Sequence, residues 1–101
     1  MEIYKSYNEN YEVSNLGNIR NKKTLRVLKT WETGIGYRKV QVGSGRLRKR
    51  VHRLVAELFC EKPLNIKVEV HHINHIRHDN RSCNLRWVTH QDNCLMKIIH
   101  N

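Results

Sequence analysis

The period of the hydrophobic pattern changes once along the chain, near residue 51, and this change limits the folds that the chain can adopt. Before it, residues 11–13 and 37–42 follow the two-residue period of short strands, and each run is followed by turn residues. After it, apolar residues take the spacing of a short amphipathic helix over residues 52–60, which Pro63 is expected to end. The residues on its apolar stripe are Leu54, Val55, Leu58 and Phe59.

The second half of the chain predicts a strand, a loop, a strand and a helix in that order. Residues 68–73 and 85–88 have strand patterns, and the polar residues 74–84 between them predict a connecting loop. Thr89 followed by Asp92 fits the start of a capped helix. Its apolar face would contain Cys94, Leu95, Ile98 and Ile99. We therefore predict an α+β chain without repeats or a flexible linker.

Positive charge is concentrated on this short chain. Among 101 residues, 19 are Lys or Arg and 9 are Asp or Glu, which gives a formal charge of +10. A field of this size favours a polyanionic partner. Residues 46–51 predict the return strand of a hairpin, with Arg46, Arg48 and Arg50 on one face and Leu47 and Val51 on the other. This stripe fits nucleic acid better than the alternative, a charged edge strand that avoids aggregation.

Other classes of protein are disfavoured. The chain has no run of 18 apolar residues and no secretory signal at its start, so we expect no membrane partner and a cytoplasmic location, in a bacterial or phage-infected cell. Its cysteines, Cys60, Cys83 and Cys94, form no C-x-x-C pair. Their number and spacing argue against a disulfide framework and against a structural zinc finger.

Two adjacent histidines, His71 and His72, end the strand predicted at residues 68–73. Neighbouring side chains on a strand point to opposite faces. Such a pair can therefore supply one imidazole as a metal ligand and the other as a base, whereas a single histidine would be a weak signal.

The stretches around this pair resemble the HNH endonuclease family, in particular the group of phage and intron-encoded homing endonucleases. The matching segments are residues 51–56, 70–74, 79–81 and 84–93, and residues 11–20 are similar to the DNA-binding element that often precedes this core. The resemblance implies a ββα-metal (His-Me finger) nuclease core preceded by a small antiparallel β arm. It places a β-rich DNA-binding arm at residues 1–50 and the HNH nuclease core at residues 51–101.

The resemblance also implies roles for four residues. His72 matches the general base, and Asn84 matches the central asparagine that holds the connecting loop and positions the base. Asn93 matches a metal ligand on the final helix, and His71 occupies the other metal-ligand position. The implied reaction is hydrolysis of a DNA phosphodiester, with one divalent cation at the scissile phosphate and with 3′-hydroxyl and 5′-phosphate products.

His71 departs from the usual family pattern, in which Asp or Asn precedes the base, although the colicin-type branch also carries a His-His pair. We expect Mg²⁺ or Mn²⁺, while the extra imidazole shifts the preference toward Ni²⁺, Co²⁺ or Zn²⁺. The expected partner is double-stranded DNA. The candidate DNA-binding residues are Arg38, Arg46, Arg48, Arg50, Arg53, Arg77, Arg81 and Lys97.

Two alternatives stand beside this hypothesis. The chain could be a DNA-binding module without catalysis, or a basic RNA-binding protein, although the second does not account for the histidine pair and its spacing to Asn93. The sequence also does not distinguish a monomer from a homodimer, or the cutting of one strand from the cutting of both.

Overall fold

The structure is a computed structural model, and it describes residues 1–43, 48–63 and 67–92. Short antiparallel strands and one α-helix make up the described chain, in agreement with the α+β prediction. The elements are β1 (Tyr4–Ser6), β2 (Tyr11–Ser14), β3 (Ile19–Asn21), β4 (Thr30–Glu32), β5 (Arg38–Gln41), β6 (Arg48–Arg50), α1 (Val51–Phe59), β7 (Glu69–His72), a 3₁₀ helix (Ser82–Asn84) and β8 (Leu85–Val88).

The first sheet has the order β1-β2-β3, and a tight turn joins its last two strands. The hydroxyl of Ser14 accepts hydrogen bonds from the backbone N–H groups of Leu16 and Asn18, at 3.2 and 3.0 Å. Gly17 has a φ of +92° in this turn, a backbone conformation that favours glycine. The turn predicted from the sequence after residue 13 is therefore confirmed.

The second sheet has the order β4-β5-β6. Its register places several basic side chains on the face that points away from the core. Arg48 pairs with Gln41 and Arg50 pairs with Lys39, so these four side chains lie on the face opposite Val40, which is fully buried. Val51 was expected to continue the strand and instead begins α1. Because Val51 is 1% exposed, the helix start buries the same apolar side chain that the strand would have buried.

Helix α1 packs its apolar stripe into a core to which both halves of the chain contribute. It ends at Phe59, since Cys60 is already extended, and it therefore stops before Pro63 rather than at it. The buried core residues are Val13, Ile19, Val40, Val42, Val51, Leu54, Val55, Ala56, Val70, Leu85 and Trp87. Because this cluster spans residue 50, α1 holds the two three-stranded sheets and the β7-β8 hairpin against one another. The division into an arm and a nuclease core at residues 50 and 51 remains a prediction.

The β7-β8 hairpin agrees with the two strands predicted from the sequence, and the 3₁₀ helix lies within the segment predicted as loop. After β8, the Thr89 hydroxyl accepts a hydrogen bond from the Asp92 N–H at 3.2 Å, as expected for a helix cap. Arg46, Asn93 and Lys97 lie outside the described residues, as do the apolar residues predicted for the face of the last helix. In the described part of the chain, no helix is long and apolar enough to cross a membrane.

Candidate active site

The histidine pair lies at the end of β7, with the two side chains on opposite faces of the hairpin. His71 pairs with Arg86 and His72 pairs with Leu85 across the β7-β8 ladder. Both histidines are buried, at 7% and 5% exposure. The ring of His71 packs edge-on against His75, with centroids 5.1 Å apart. The two imidazoles therefore have different surroundings, as the strand pattern predicted.

Asn84 holds the loop that joins the two strands. Its side-chain oxygen accepts a hydrogen bond from the Asn74 N–H, and its amide nitrogen donates to the Asn74 side chain and to the Asp79 carbonyl, each at 2.9 Å. Asn84 is buried, so these bonds are shielded from water. Through these bonds Asn84 joins residues 74 and 79 of the loop, and its implied role in positioning the base remains a prediction.

The side chain that contacts the imidazole of His72 directly is Asn80, whose role the sequence did not indicate. Oδ1 of Asn80 lies 2.9 Å from Nε2 of His72, and both residues are buried. Since an amide oxygen only accepts, the two atoms form a hydrogen bond in the forms of His72 that carry a proton on Nε2. Burial lowers the pKa of His72, and the hydrogen bond with Asn80 opposes this shift in part.

Two further rings, also missed by sequence reasoning, lie beside His72. The rings of Tyr37 and His52 stack with centroids 4.9 Å apart, and they lie 5.9 and 5.1 Å from the ring of His72. Burial lowers the pKa of His52 to about 3, and the charges of His72 and of nearby arginines act in the same direction. His52 is therefore a neutral ring at neutral pH, and its buried Nδ1 has no hydrogen-bond partner among the residues that the structure describes.

Tyr37 also connects His72 to the basic face, which we define as Lys39, Arg48, Arg50 and Arg77 around the rings of Trp31 and Tyr37. The guanidinium carbons of Arg50 and Arg77 each lie 5.2 Å from the Tyr37 ring centroid, and that of Arg48 lies 5.8 Å from the ring of Trp31. Such cation–π contacts orient arginines without neutralising them. Positive charge therefore borders His72.

The other candidate DNA-binding arginines have different neighbours. Arg38 lies on the opposite face of β5, where its guanidinium donates to the hydroxyl and the carbonyl of Thr30. Arg81 makes two 2.8 Å hydrogen bonds with Asp79, which hold the pKa of Asp79 far below its usual range. Arg53 lies over the Trp87 ring, with 5.5 Å to the centroid.

The described residues contain no group of three or more His, Cys, Asp or Glu that could hold a metal ion, and Cys60 and Cys83 are free. The donor set implied by the resemblance pairs His71 with an amide, Asn93. An imidazole is a suitable ligand for a divalent metal. The imidazole of His71 lies on the face of β7 opposite His72, so it could bind a metal without displacing His72.

A buried histidine pair at the end of a ββ hairpin, bordered by a basic face, is the arrangement expected of a ββα-metal nuclease. Family models agree with this class: residues 49–95 match the HNH endonuclease model, and residues 2–54 match the NUMOD4 motif. The chain belongs to the HNH endonuclease family.

Several named endonucleases are similar to this chain in sequence, and one of them is similar in structure. Two HNH endonucleases of Acanthamoeba polyphaga mimivirus are 40% and 37% identical to it over 98 and 87 residues, which are 92% and 84% of this chain. The DNA endonuclease I-HmuI of Bacillus phage SP01 is 37% identical over 91 residues, or 88% of this chain. A solved structure of the HNH homing endonuclease I-HmuI covers 97% of this chain with a TM-score of 0.84 and 33% identity. This match confirms the predicted fold class.

The chain spans less than two thirds of the length of each of these relatives. The matched part is 24% and 26% of the two mimivirus proteins, 52% of I-HmuI and 59% of the chain in the solved structure.

Proposed function

We propose that this protein is a metal-dependent DNA endonuclease in which His72 is the general base. The observation that carries the proposal is the position of His72: a buried imidazole with one nitrogen held by Asn80, beside the arginines of the basic face. A base must be neutral, fixed in orientation and close to bound substrate, and these surroundings favour all three conditions. The similar protein I-HmuI, named as a DNA endonuclease, supports DNA as the substrate.

The lowered pKa of His72 suits this role. Because burial disfavours its charged form, the imidazole is neutral at neutral pH and can accept a proton from water. The oxygen of that water attacks the phosphorus, and the bond from phosphorus to the 3′ oxygen breaks. Asn84 contributes indirectly, since its three hydrogen bonds fix the loop that carries Asn80.

His71 and Asn93 are the residues that would hold the divalent cation. The bound cation would supply Lewis-acid stabilisation of the charge that develops on the phosphate oxygens and on the 3′ oxygen. Mg²⁺ or Mn²⁺ is the expected ion, and the imidazole of His71 extends the usable set to Ni²⁺, Co²⁺ or Zn²⁺.

The basic face would bind the DNA backbone next to the scissile phosphate. The guanidinium groups of Arg50 and Arg77 lie against the ring of Tyr37, and this ring lies 5.9 Å from the ring of His72. Phosphates that the two arginines bind would therefore lie near the base. The formal charge of +10 adds a long-range attraction to any nucleic acid, which is stronger at low salt.

A plasmid nicking assay with Mg²⁺, Mn²⁺ or Ni²⁺ tests the proposal. We expect His72→Ala to lower the rate at least about a hundredfold, the usual contribution of a general base. His78→Ala is the matched control, because His78 is an exposed histidine of the same loop, and it should cut like the wild type. Equal residual cleavage by wild type and His72→Ala would refute the proposal. Binding without cleavage under any metal would identify a binding module, and preference for structured RNA would identify an RNA-binding protein.

A further inference from the structure

A strained leucine lies in the loop that follows β3. Leu25 has a φ of +58°, in the left-handed region that a bulky side chain rarely adopts. Glycine or asparagine would take this conformation with less strain. Leu25 is nevertheless 57% exposed, so burial in the core does not explain the choice of a leucine. A contact with another molecule would explain it, because strained residues are retained where their side chains are used.

Hydrogen bonds within the loop close it into one unit, residues 21–27, which we call the basic finger. The side-chain oxygen of Asn21 accepts from the N–H groups of Lys23 and Thr24, at 2.8 and 3.1 Å. The carbonyl of Asn21 accepts from the Leu25 N–H at 2.9 Å, and its N–H donates to the Arg26 carbonyl at 3.0 Å. Leu25 is therefore held outward before any partner binds, which lowers the entropy lost on binding.

The charge of the basic finger identifies the class of partner. No Asp or Glu lies between Glu12 and Glu32, and the Lys and Arg residues of this stretch are Arg20, Lys22, Lys23, Arg26 and Lys29. Lys23 and Arg26 are exposed and form no ion pair within the described part of the chain. An apolar side chain between two such cations fits a nucleic-acid groove, where cations bind phosphates and apolar groups contact sugars or thymine methyl groups.

The basic finger lies at the end of the molecule where the basic face ends. Tyr11 pairs with Asn21, and the Tyr11 hydroxyl accepts a hydrogen bond from the Gly43 N–H at 3.1 Å. Gly43 lies two residues beyond the partner of Arg48 on β5. At about 3.3 Å per residue, Gly43 is roughly 13 Å from the level of Arg50, or about four base pairs of duplex. A duplex that ran along the basic face would therefore reach the finger.

We propose that the basic finger is a second contact with duplex DNA, away from the scissile phosphate. Lys23 and Arg26 bind backbone phosphates, and Leu25 packs against sugars and base edges in the groove. The proposal rests on the proposed function for the identity of the partner as DNA. Because the finger lies away from His72, it contributes to binding and not to the reaction itself.

The role of Leu25 is tested by a variant that relieves its strain. Leu25→Asn should weaken binding to a fluorescein-labelled duplex in EDTA about fivefold, the loss expected for half of a buried leucine side chain. Its midpoint of urea unfolding should stay equal or rise, since asparagine tolerates a positive φ. Leu25→Met, which keeps an apolar side chain, should bind like the wild type. The control is Ile3→Asn, which changes another exposed apolar residue and should leave the affinity unchanged.

Two results would overturn the role of Leu25. One is an affinity of Leu25→Asn equal to that of the wild type. The other is a lower urea midpoint of Leu25→Asn together with equal losses of affinity in Leu25→Asn and Leu25→Met, which would show that the leucine only supports the loop.

The roles of the two cations are tested by the salt dependence of binding. Lys23→Gln and Arg26→Gln should each lower the slope of log affinity against log salt by about one. Lys62→Gln, the matched control, changes an exposed lysine after α1 and should leave the slope as it is. Equal slopes for the finger variants and Lys62→Gln would overturn the phosphate contacts. Weaker binding of these variants to structured RNA alone would overturn duplex DNA as the partner.

Nicking kinetics separate this proposal from the proposed function. Leu25→Asn should raise KM about fivefold and change kcat less than twofold, since the finger does not act on the base. If the wild type binds DNA through the finger but cuts none under any metal, the endonuclease proposal fails and the finger proposal stands. If the wild type cuts DNA and the finger variants bind and cut like it, only the finger proposal fails.

Discussion

Replacing His52 with phenylalanine should remove much of the loss of stability that the protein suffers in acid. His52 is 5% exposed, and burial lowers its pKa from an ordinary value of 6.5 to about 3. Below pH 6.5 the unfolded chain takes up a proton at this residue and the folded chain does not. Stability is therefore lost as the pH falls through about 6.5 toward 3, and almost none of this loss occurs above pH 7.5.

The size of the effect follows from these pKa values. A pH of 5 is about 1.5 units below the pKa of His52 in the unfolded chain and well above its pKa in the folded chain. Each unit of this difference changes the free energy of unfolding by about 1.4 kcal/mol. The wild type should therefore lose about 2 kcal/mol at this residue between pH 7.5 and pH 5, out of a typical total of about 5–15 kcal/mol. His52→Phe keeps a flat ring against Tyr37 and has no such loss.

Urea unfolding, followed by circular dichroism at pH 7.5 and pH 5, measures this difference. The free energy of unfolding of His52→Phe should fall by about 2 kcal/mol less than that of the wild type over this interval. Any packing difference between the two rings acts at both pH values and cancels, as do the titrating groups that do not interact with His52. An equal fall in the two proteins would refute the conclusion that His52 is neutral because it is buried.

Three further predictions concern DNA, the loop and the metal. Arg50→Gln should weaken DNA binding at all sequences and lower the slope of log affinity against log salt by about one, measured by fluorescence anisotropy at several salt concentrations. Asn84→Ala breaks three partly buried hydrogen bonds and should cost about 2–4 kcal/mol in urea unfolding. EDTA should abolish cleavage, and His71→Asp should raise the ratio of the cleavage rate with Mg²⁺ to that with Ni²⁺.

Local sequence patterns predicted the elements that bury a periodic apolar face. The alternation in residues 85–88 predicted β8 with its observed bounds, and the stripe around Leu54 and Val55 predicted α1 to within a residue at each end. Val51 was placed in the wrong element, because a buried valine satisfies the last position of a strand and the first position of a helix equally well. The order of the strands in each sheet follows from contacts that no single segment contains.

Sequence reasoning found the site residues whose type and spacing are distinctive by themselves. The pair His71 and His72 was recognised because two adjacent histidines end a strand that leads into a polar loop. Tyr37 and His52 were missed because their contacts with His72 join residues 20 to 35 positions apart, and His52 by itself has the pattern of a helix residue. Asn80 was missed because one asparagine in a polar loop does not differ, in sequence, from its neighbours.

The position of His72 therefore depends on parts of the chain that precede the histidine pair. Tyr37 immediately precedes β5, His52 lies in α1, and Gly17 lies in a turn of the first sheet, and each contacts His72 or Asn80. A nuclease core that began at residue 51 would lack Tyr37 and Gly17. It would also lack the core residues Val13, Val40 and Val42. The sheets that precede α1 are thus part of the structure that orients His72, in addition to any DNA that they bind.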